Sequence, residues 1–396
     1  VGFSHQLIVI FVKLIMETKR FRCFIVSGIV IFTFLISSCK KDNEISFEDE
    51  NPSIEDYDRQ LMLSNYADLY IVPAYTEYKN QVNELSDETQ TFVNTISISN
   101  LQSLRIQWEN TLLVWQDVAF LEFGPAEYIS LRSQTNIYPV DTLLILNNIN
   151  AGTYNLQAAS NYVAKGFQAI DYLINGVGTT DQEIVDYFTS TPNAQTYLTN
   201  VVNELKTNGS YVYNEWVNTY RTSFVNNSSS NSQGSSVSDL VNALNAHYET
   251  YIRKGQIGLP AGVFNGFTQT PMPKHVEALY FKKSLPYVYR ALSSFQKFMN
   301  GNSYVSNTSG EGFDDYLKFV NATSGNVPLE TAINNQMVAI NNQLATINDP
   351  LSNEVLVNNQ AVKDVYQQMQ MLVPKLKVEL TDALGVLITY QDNDGD

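Results

Sequence analysis

Apolar residues recur along this chain at steps of three, four and seven, and no stretch shows a convincing two-residue alternation. Ile71, Tyr75, Tyr78, Val82, Leu85, Phe92 and Ile96 form the first such seam, the pattern of a helix that buries one stripe. Asn100 is placed to cap the next helix, whose inner face carries Leu101, Leu104, Trp108, Leu112 and Trp115 before Phe123-Gly124-Pro125 breaks it. A sheet needs the shorter period, so the spacing predicts an all-α chain.

The same period continues beyond an irregular stretch at Tyr138-Pro139-Val140-Asp141-Thr142, where Asp141 is placed to cap a short helix. Asn161 to Gly176 reads as one helix with Tyr162 or Val163, Phe167, Ile170 and Ile174 as its stripe. Thr191-Pro192 has the form of an N-cap and first helical residue, and that helix runs through Tyr197, Val201 and Leu205 towards Trp216. Asn226 to Ser236 is low in complexity and devoid of apolar residues, which marks a domain boundary or a long surface loop. Ser238 then caps a helix with Leu240, Leu244, His247 and Tyr251. A Gly- and Pro-rich excursion from Lys254 to Pro273 follows, and a helix from near His275 continues through Leu285, Val288, Leu292, Phe295 and Met299. Ile333, Met337, Ile340, Leu344 and Ile347 make another seam, and a last helix covers Val362 to Tyr390 with a kink at Pro374. With 396 residues, two domains are expected. They are two tandem helical bundles, 54–225 and 237–396, with 226–236 as linker or loop and a cleft between them.

The N-terminal segment reads as an export signal. Met16 to Arg22 is basic, Cys23 to Ile36 is apolar and short for a membrane span, and Leu35-Ile36-Ser37-Ser38-Cys39 resembles a bacterial lipobox. Residues 1–39 are therefore expected to be a signal peptide ending at a lipidated Cys39, with Met16 as the start and 40–53 as a polar tether. The residues after Cys39 resemble the charged signals that send Bacteroidetes-type lipoproteins to the outer surface. The expected address is the cell envelope, as an outer-membrane lipoprotein facing the periplasm or the surface. The first 39 residues carry +3, which leaves −19 for the rest of a chain whose net charge is −16. Such a surface repels nucleic acid. The two cysteines are Cys23 and Cys39, so the body after them offers no disulfide, thiol nucleophile or thiolate metal site.

Chemistry-bearing motifs are few. The sequence has no Walker loop, no GxGxxG after a strand, no GxSxG and no HExxH. His247 and His275 fall on different predicted helices, so they make no local zinc site; His247 is expected to pack and His275 to sit near a helix start. Asp392-Asn-Asp-Gly-Asp396 imitates the first half of a calcium loop but lacks the closing glutamate. Gln168 and Asp171 stand three residues apart and share a helix face. They read either as buried groups satisfying backbone or loop donors or as hard oxygen ligands for a divalent cation.

Several motifs in order resemble the imelysin family. Trp108 and Trp115 precede Phe123-Gly124-Pro125, and Tyr138-Pro139-Val140-Asp141 resembles the family's aromatic-proline-x-aspartate segment. Gly166-Phe167-Gln168-Ala169-Ile170-Asp171 stands in the place of its signature GxHxxE. Lys254 to Gly262, then Val276-Glu277-Ala278 and Ser284, resembles its second-half motif, and Gly312 to Leu317 with the Asp392–Asp396 end is similar to its Bacteroidetes branch. The resemblance implies a two-domain helical protein with a site in the interdomain cleft, contributed by the signature helix. Its members are exported proteins tied to iron acquisition, some with a metallopeptidase label. Gly166, Gln168, Asp171, Pro125, Asp141, Lys254 and Glu277 would line or support that cleft, with Gln168 and Asp171 as the metal ligands if a metal binds. Here the signature histidine is Gln168, the glutamate is Asp171, and Ala119 occupies the place of an acidic residue before the turn. Loss of the imidazole argues against zinc hydrolysis, so no residue is assigned a catalytic role. The expected function is non-enzymatic binding of iron, another divalent cation or a metal complex, with an outer-membrane transporter or other uptake component as partner. A metallopeptidase and a structural lipoprotein with a decayed site are the alternatives.

Overall fold

The seam that starts at Ile71 becomes the spine of the molecule. The structure, a computed structural model, describes residues 56–390; the signal segment with Cys39, the tether at 40–53 and the Asp392–Asp396 end lie outside them. Helix α1 (Arg59–Asn65) runs through a π-helical segment, Tyr66–Ile71, into α2 (Val72–Asn94), with no break in the backbone. Antiparallel to it lies α3 (Ile98–Val118), which buries all five predicted apolar positions from Leu101 to Trp115. Its cap is Ser97, not Asn100: the Ser97 hydroxyl accepts from the Asn100 N–H, which satisfies one of the free donors of the first turn.

After the Phe123-Gly124-Pro125 break come two short helices, α4 (Pro125–Tyr128) and α5 (Leu131–Thr135). Helix α6 (Thr142–Ala151) starts as expected at Asp141, whose carboxylate accepts from the Leu144 N–H at 2.9 Å. The stretch read as one helix is divided. Ala159–Ala164 is a 3₁₀ turn, Lys165 is extended, and α7 (Gly166–Asp171) passes into a π-helical turn at Tyr172–Gly176. Helices α8 (Asp181–Ser190) and α9 (Pro192–Glu215) follow, and α9 packs along α2. A π-helical turn then leads to α10 (Arg221–Asn226), which ends where the low-complexity stretch begins.

Beyond that stretch α11 (Ser236–Ala246) is capped by Ser235, not Ser238, and continues as a π-helix to Gly258. The glycine- and proline-rich excursion thus begins five residues later than its composition suggests. The next helix does not start near His275: residues 274–284 form turns, and α12 covers Leu285–Met299. Pro286 at its second position and Asp349, which accepts from the Ser284 and Leu285 N–H groups, set that start. Then come α13 (Phe313–Phe319), a minimal hairpin pairing β1 (Thr323–Ser324) with β2 (Val327–Pro328), and α14 (Leu329–Leu344). After α15 (Leu351–Val357), the final helix of the sequence reading is several pieces: α16 (Asn359–Gln370), a π-helical turn at Lys375–Leu380 and α17 (Thr381–Leu384), which Gly385 ends at φ +64°.

The halves on either side of 226–236 share one hydrophobic core. Tyr66 stacks on Phe298 with ring centroids 4.2 Å apart, and Phe120 meets the same ring at 5.1 Å. Each fully buried side chain of this size adds about 1.5–3 kcal/mol. The helical class is as expected, and what the packing creates for function is a seam between 138–179 and 274–353.

Candidate functional site

Helix α7 lies in the interior, with all six of its residues buried. It begins where Gly166 turns the backbone to φ +75°, and a Cβ there would sit 2.1 Å from the Thr135 carbonyl oxygen. Only glycine fits both demands. Trp108 fixes the helix from the opposite side, its indole N–H donating to the Phe167 carbonyl at 3.1 Å. The π-helical turn that follows ends at Gly176, where a side chain would collide with the Tyr280 ring. Such π turns recur at functional sites.

Gln168 and Asp171 face the same way, as their spacing requires, and both reach across to the segment 277–284. Gln168 Oε1 accepts from the Ala278 N–H at 2.8 Å. Asp171 accepts from the Tyr280 N–H at 2.9 Å and from the Asn175 amide at 3.0 Å. The segment they hold is strained, with Ala278 at φ +54° and Lys282 at φ +63°. Phe281 closes it from the other side, edge-on to Trp108 at 5.2 Å. Burial pushes the Asp171 carboxyl up to about 7, although the N–H donors and the charge of Arg105 pull the other way.

Behind this pair is Glu277, 2% exposed. Its carboxylate accepts from Gln116 at 2.8 Å, Asn136 at 2.7 Å and Gln256 at 2.8 Å. Burial raises its proton affinity and the three amides oppose the rise. Asn136 is the link between the two sites, because its side-chain oxygen accepts from Gln168 at 2.8 Å. A pocket of about 20 Å³ lies among these groups, Arg132 and His247, enough for one water. Gln256 Oε1 and His247 Nδ1, both buried, have no hydrogen-bond partner among the described residues. Arg132 donates to the Ala119 carbonyl at 2.7 Å and covers the Tyr251 ring at 4.2 Å. His247 is packed, as expected, and burial followed by the Arg132 charge keeps it neutral.

On the outer side of Gln168 and Asp171 opens a cavity of about 900 Å³. Tyr138 to Val140, the α7–π segment, the turn from Lys274 to Lys282 and the start of α15 form its walls. The structure therefore brings Gly166, Gln168, Asp171 and Glu277 together. Asp141 caps α6 beside the lining residue Thr142. Pro125 opens α4, and Lys254 lies over the Phe264 ring at 4.7 Å; neither is part of the cavity wall. Gln116 and Asn136 carry no signal in the sequence, since isolated amides have no spacing pattern, whereas Gln256 lies within the Lys254–Gly262 motif.

The donor set suits a transition metal poorly. Among the described residues, no three His, Cys, Asp or Glu side chains come together to hold an ion. The oxygens that Gln168 and Asp171 would offer already accept N–H donors.

Comparison with known proteins gives a consistent fold. A family model described as imelysin, and named as a peptidase family, matches residues 71–380. A crystal structure from Parabacteroides distasonis, provisionally described as an iron-regulated protein A precursor, superposes with a TM-score of 0.68 at 16% identity, covering 83% of this chain and 95% of that one. An imelysin-like protein from Psychrobacter arcticus superposes with a TM-score of 0.58 at 16% identity, covering 84% and 97%. No curated protein matches the sequence.

Proposed function

The chain belongs to the imelysin family, and from that membership we propose that it is a non-enzymatic binding component of the cell envelope, serving iron or metal acquisition. Its ligand occupies the cavity beside Gln168 and Asp171. The observation that carries this reading is how those two side chains are used. In the place of the family's histidine and glutamate they accept from the backbone of 278–280, so they pin a turn of the wall. A cavity of this size with a few convergent polar groups is what small-molecule sites have in common. That the Parabacteroides protein is described as iron-regulated supports the assignment to metal acquisition.

Lipidation at Cys39 would tether the protein to the outer membrane, next to a transporter or another uptake component. Replacing Cys39 with Ser is expected to move the protein from the membrane to the soluble fraction. The double variant Gln168→Ala, Asp171→Ala tests the site itself. It should lose ligand affinity in calorimetry while keeping its helical signal. The purified wild type should show no chelator-sensitive peptide cleavage. Cleavage that chelation stops and Asp171→Ala abolishes would establish the peptidase reading instead.

A further inference from the structure

Two lysines at this cavity have no counter-charge. Lys274 and Lys282 both line it and both are exposed. Neither forms an ion pair, a side-chain hydrogen bond or a ring contact among the described residues. The adjacent Lys283 pairs with Glu109 at 3.1 Å and lies over Phe281; Lys165 pairs with Glu204, and Lys318 with Asp314 and Asp315.

The carboxylates next to the lining segments each hold a backbone N–H, and none pairs with either lysine. Asp141 accepts from the Leu144 N–H, Glu183 from the Thr179 N–H at 2.6 Å and Asp349 from the Ser284 N–H at 2.9 Å. Asp171, the one carboxylate in the wall, is buried beneath its own N–H donors. Among the lining side chains themselves, two lysines face one carboxylate, on a protein whose net charge is −16. A concave wall with a local excess of one sign concentrates ligands of the other.

We infer that the cavity takes a small organic polyanion, held between Lys274 and Lys282 on a turn that Gln168 and Asp171 pin in place. This rests on the cavity being the ligand site and names the class of ligand it selects. Tyr138, Val140, Val276, Leu279 and Tyr280 supply an apolar surface for the ligand's carbon frame. About 900 Å³ is far more than a bare cation fills and suits an organic molecule. A polycarboxylate meets these demands either free or wrapped around ferric iron, and the two sources present the same anionic oxygens to the lysines.

The test is calorimetry on the full-length protein with citrate and with ferric citrate, in a phosphate-free buffer at low salt. Saturable binding that weakens as sodium chloride is raised is expected. The exposed pair Lys274→Glu, Lys282→Glu should fold normally and lose affinity by about tenfold or more. Equal affinity for both titrants assigns the free polycarboxylate; binding of ferric citrate alone assigns the iron complex. The inference is overturned if neither titrant binds folded wild type at millimolar concentration, or if the charge reversals leave affinity unchanged. A neutral or cationic ligand that is blocked by the cavity-filling Ser352→Trp but not by the lysine variant would overturn the anion and keep the cavity. If no ligand of any charge is sensitive to Ser352→Trp, the proposed site falls with it.

Discussion

Asp117 and Asp171 are both buried carboxylates on helices of the first half, and the fold treats them in opposite ways. Asp117 is gripped by a cation: Arg290 donates to its two oxygens at 2.6 Å each, with Ser294 at 2.5 Å and Tyr304 at 3.0 Å. The carboxylate in return raises the Arg290 guanidinium's proton affinity. Asp171 has only neutral N–H donors in contact, and burial lifts its carboxyl to about 7. Glu277 resembles Asp171, with three amides and no cation. A fully paired charge ties elements together, whereas an unpaired one beside a cavity is a group whose state can respond to a ligand or to pH.

The contrast is easiest to break at Asp117. Removing Arg290 with Arg290→Ala leaves a 1%-exposed carboxylate without its cation. The expected loss is about 3 kcal/mol, the low end for a broken buried pair because the Arg290 side chain is 45% exposed. Urea unfolding measures it, and ligand affinity of the folded fraction should not change. A loss of affinity equal to that of the Gln168, Asp171 double variant would show that the two regions are not separate.

Next in size is Gly166→Ala. It combines a strained φ with a clash against the Thr135 carbonyl, so a loss of about 2–3 kcal/mol is expected. Because α7 must shift to relieve it, affinity falls as well. Glu277→Ala follows at about 2 kcal/mol, since Gln116 and Gln256 lose their acceptor inside the protein. Its signature is a weaker site, because Asn136 would no longer be fixed where it accepts from Gln168. The isosteric Glu277→Gln should recover part of both losses.

How far the sequence could carry these arguments differs between the regions. Helix α3 was legible because five large apolar residues kept one period, and the pairing of Gln168 with Asp171 followed from their spacing. The break at Lys165–Gly166 was hidden, because Val163 and Phe167, four apart, continue the helical stripe across it. The caps at Ser97 and Ser235 were misassigned to Asn100 and Ser238 because each rival polar residue is the third along, the one whose N–H the true cap accepts. The partners of Glu277 come from positions 116, 136 and 256, and only tertiary folding brings them together. The Asp117 network was invisible for the same reason.

The smallest effect sharpens the comparison most, since it isolates the unpaired charge. Asp171 has a higher proton affinity folded than unfolded, so between about pH 4 and 7 the folded state holds a proton that the unfolded chain has released. Stability must therefore fall as pH rises through that window, with a slope of at most about 1.4 kcal/mol per pH unit. Asp171→Asn removes the titration while its carbonyl oxygen can still accept from Tyr280. Relative to wild type it should be neutral or slightly weaker at pH 4 and gain on the order of 1–2 kcal/mol by pH 8, measured by urea unfolding at both values. Asp117→Asn should instead lose stability at pH 8, because the substitution discards a charge that Arg290 holds. If the two variants share one pH profile, the charge at Asp171 is compensated after all, and the distinction between a tie and a responsive wall does not hold.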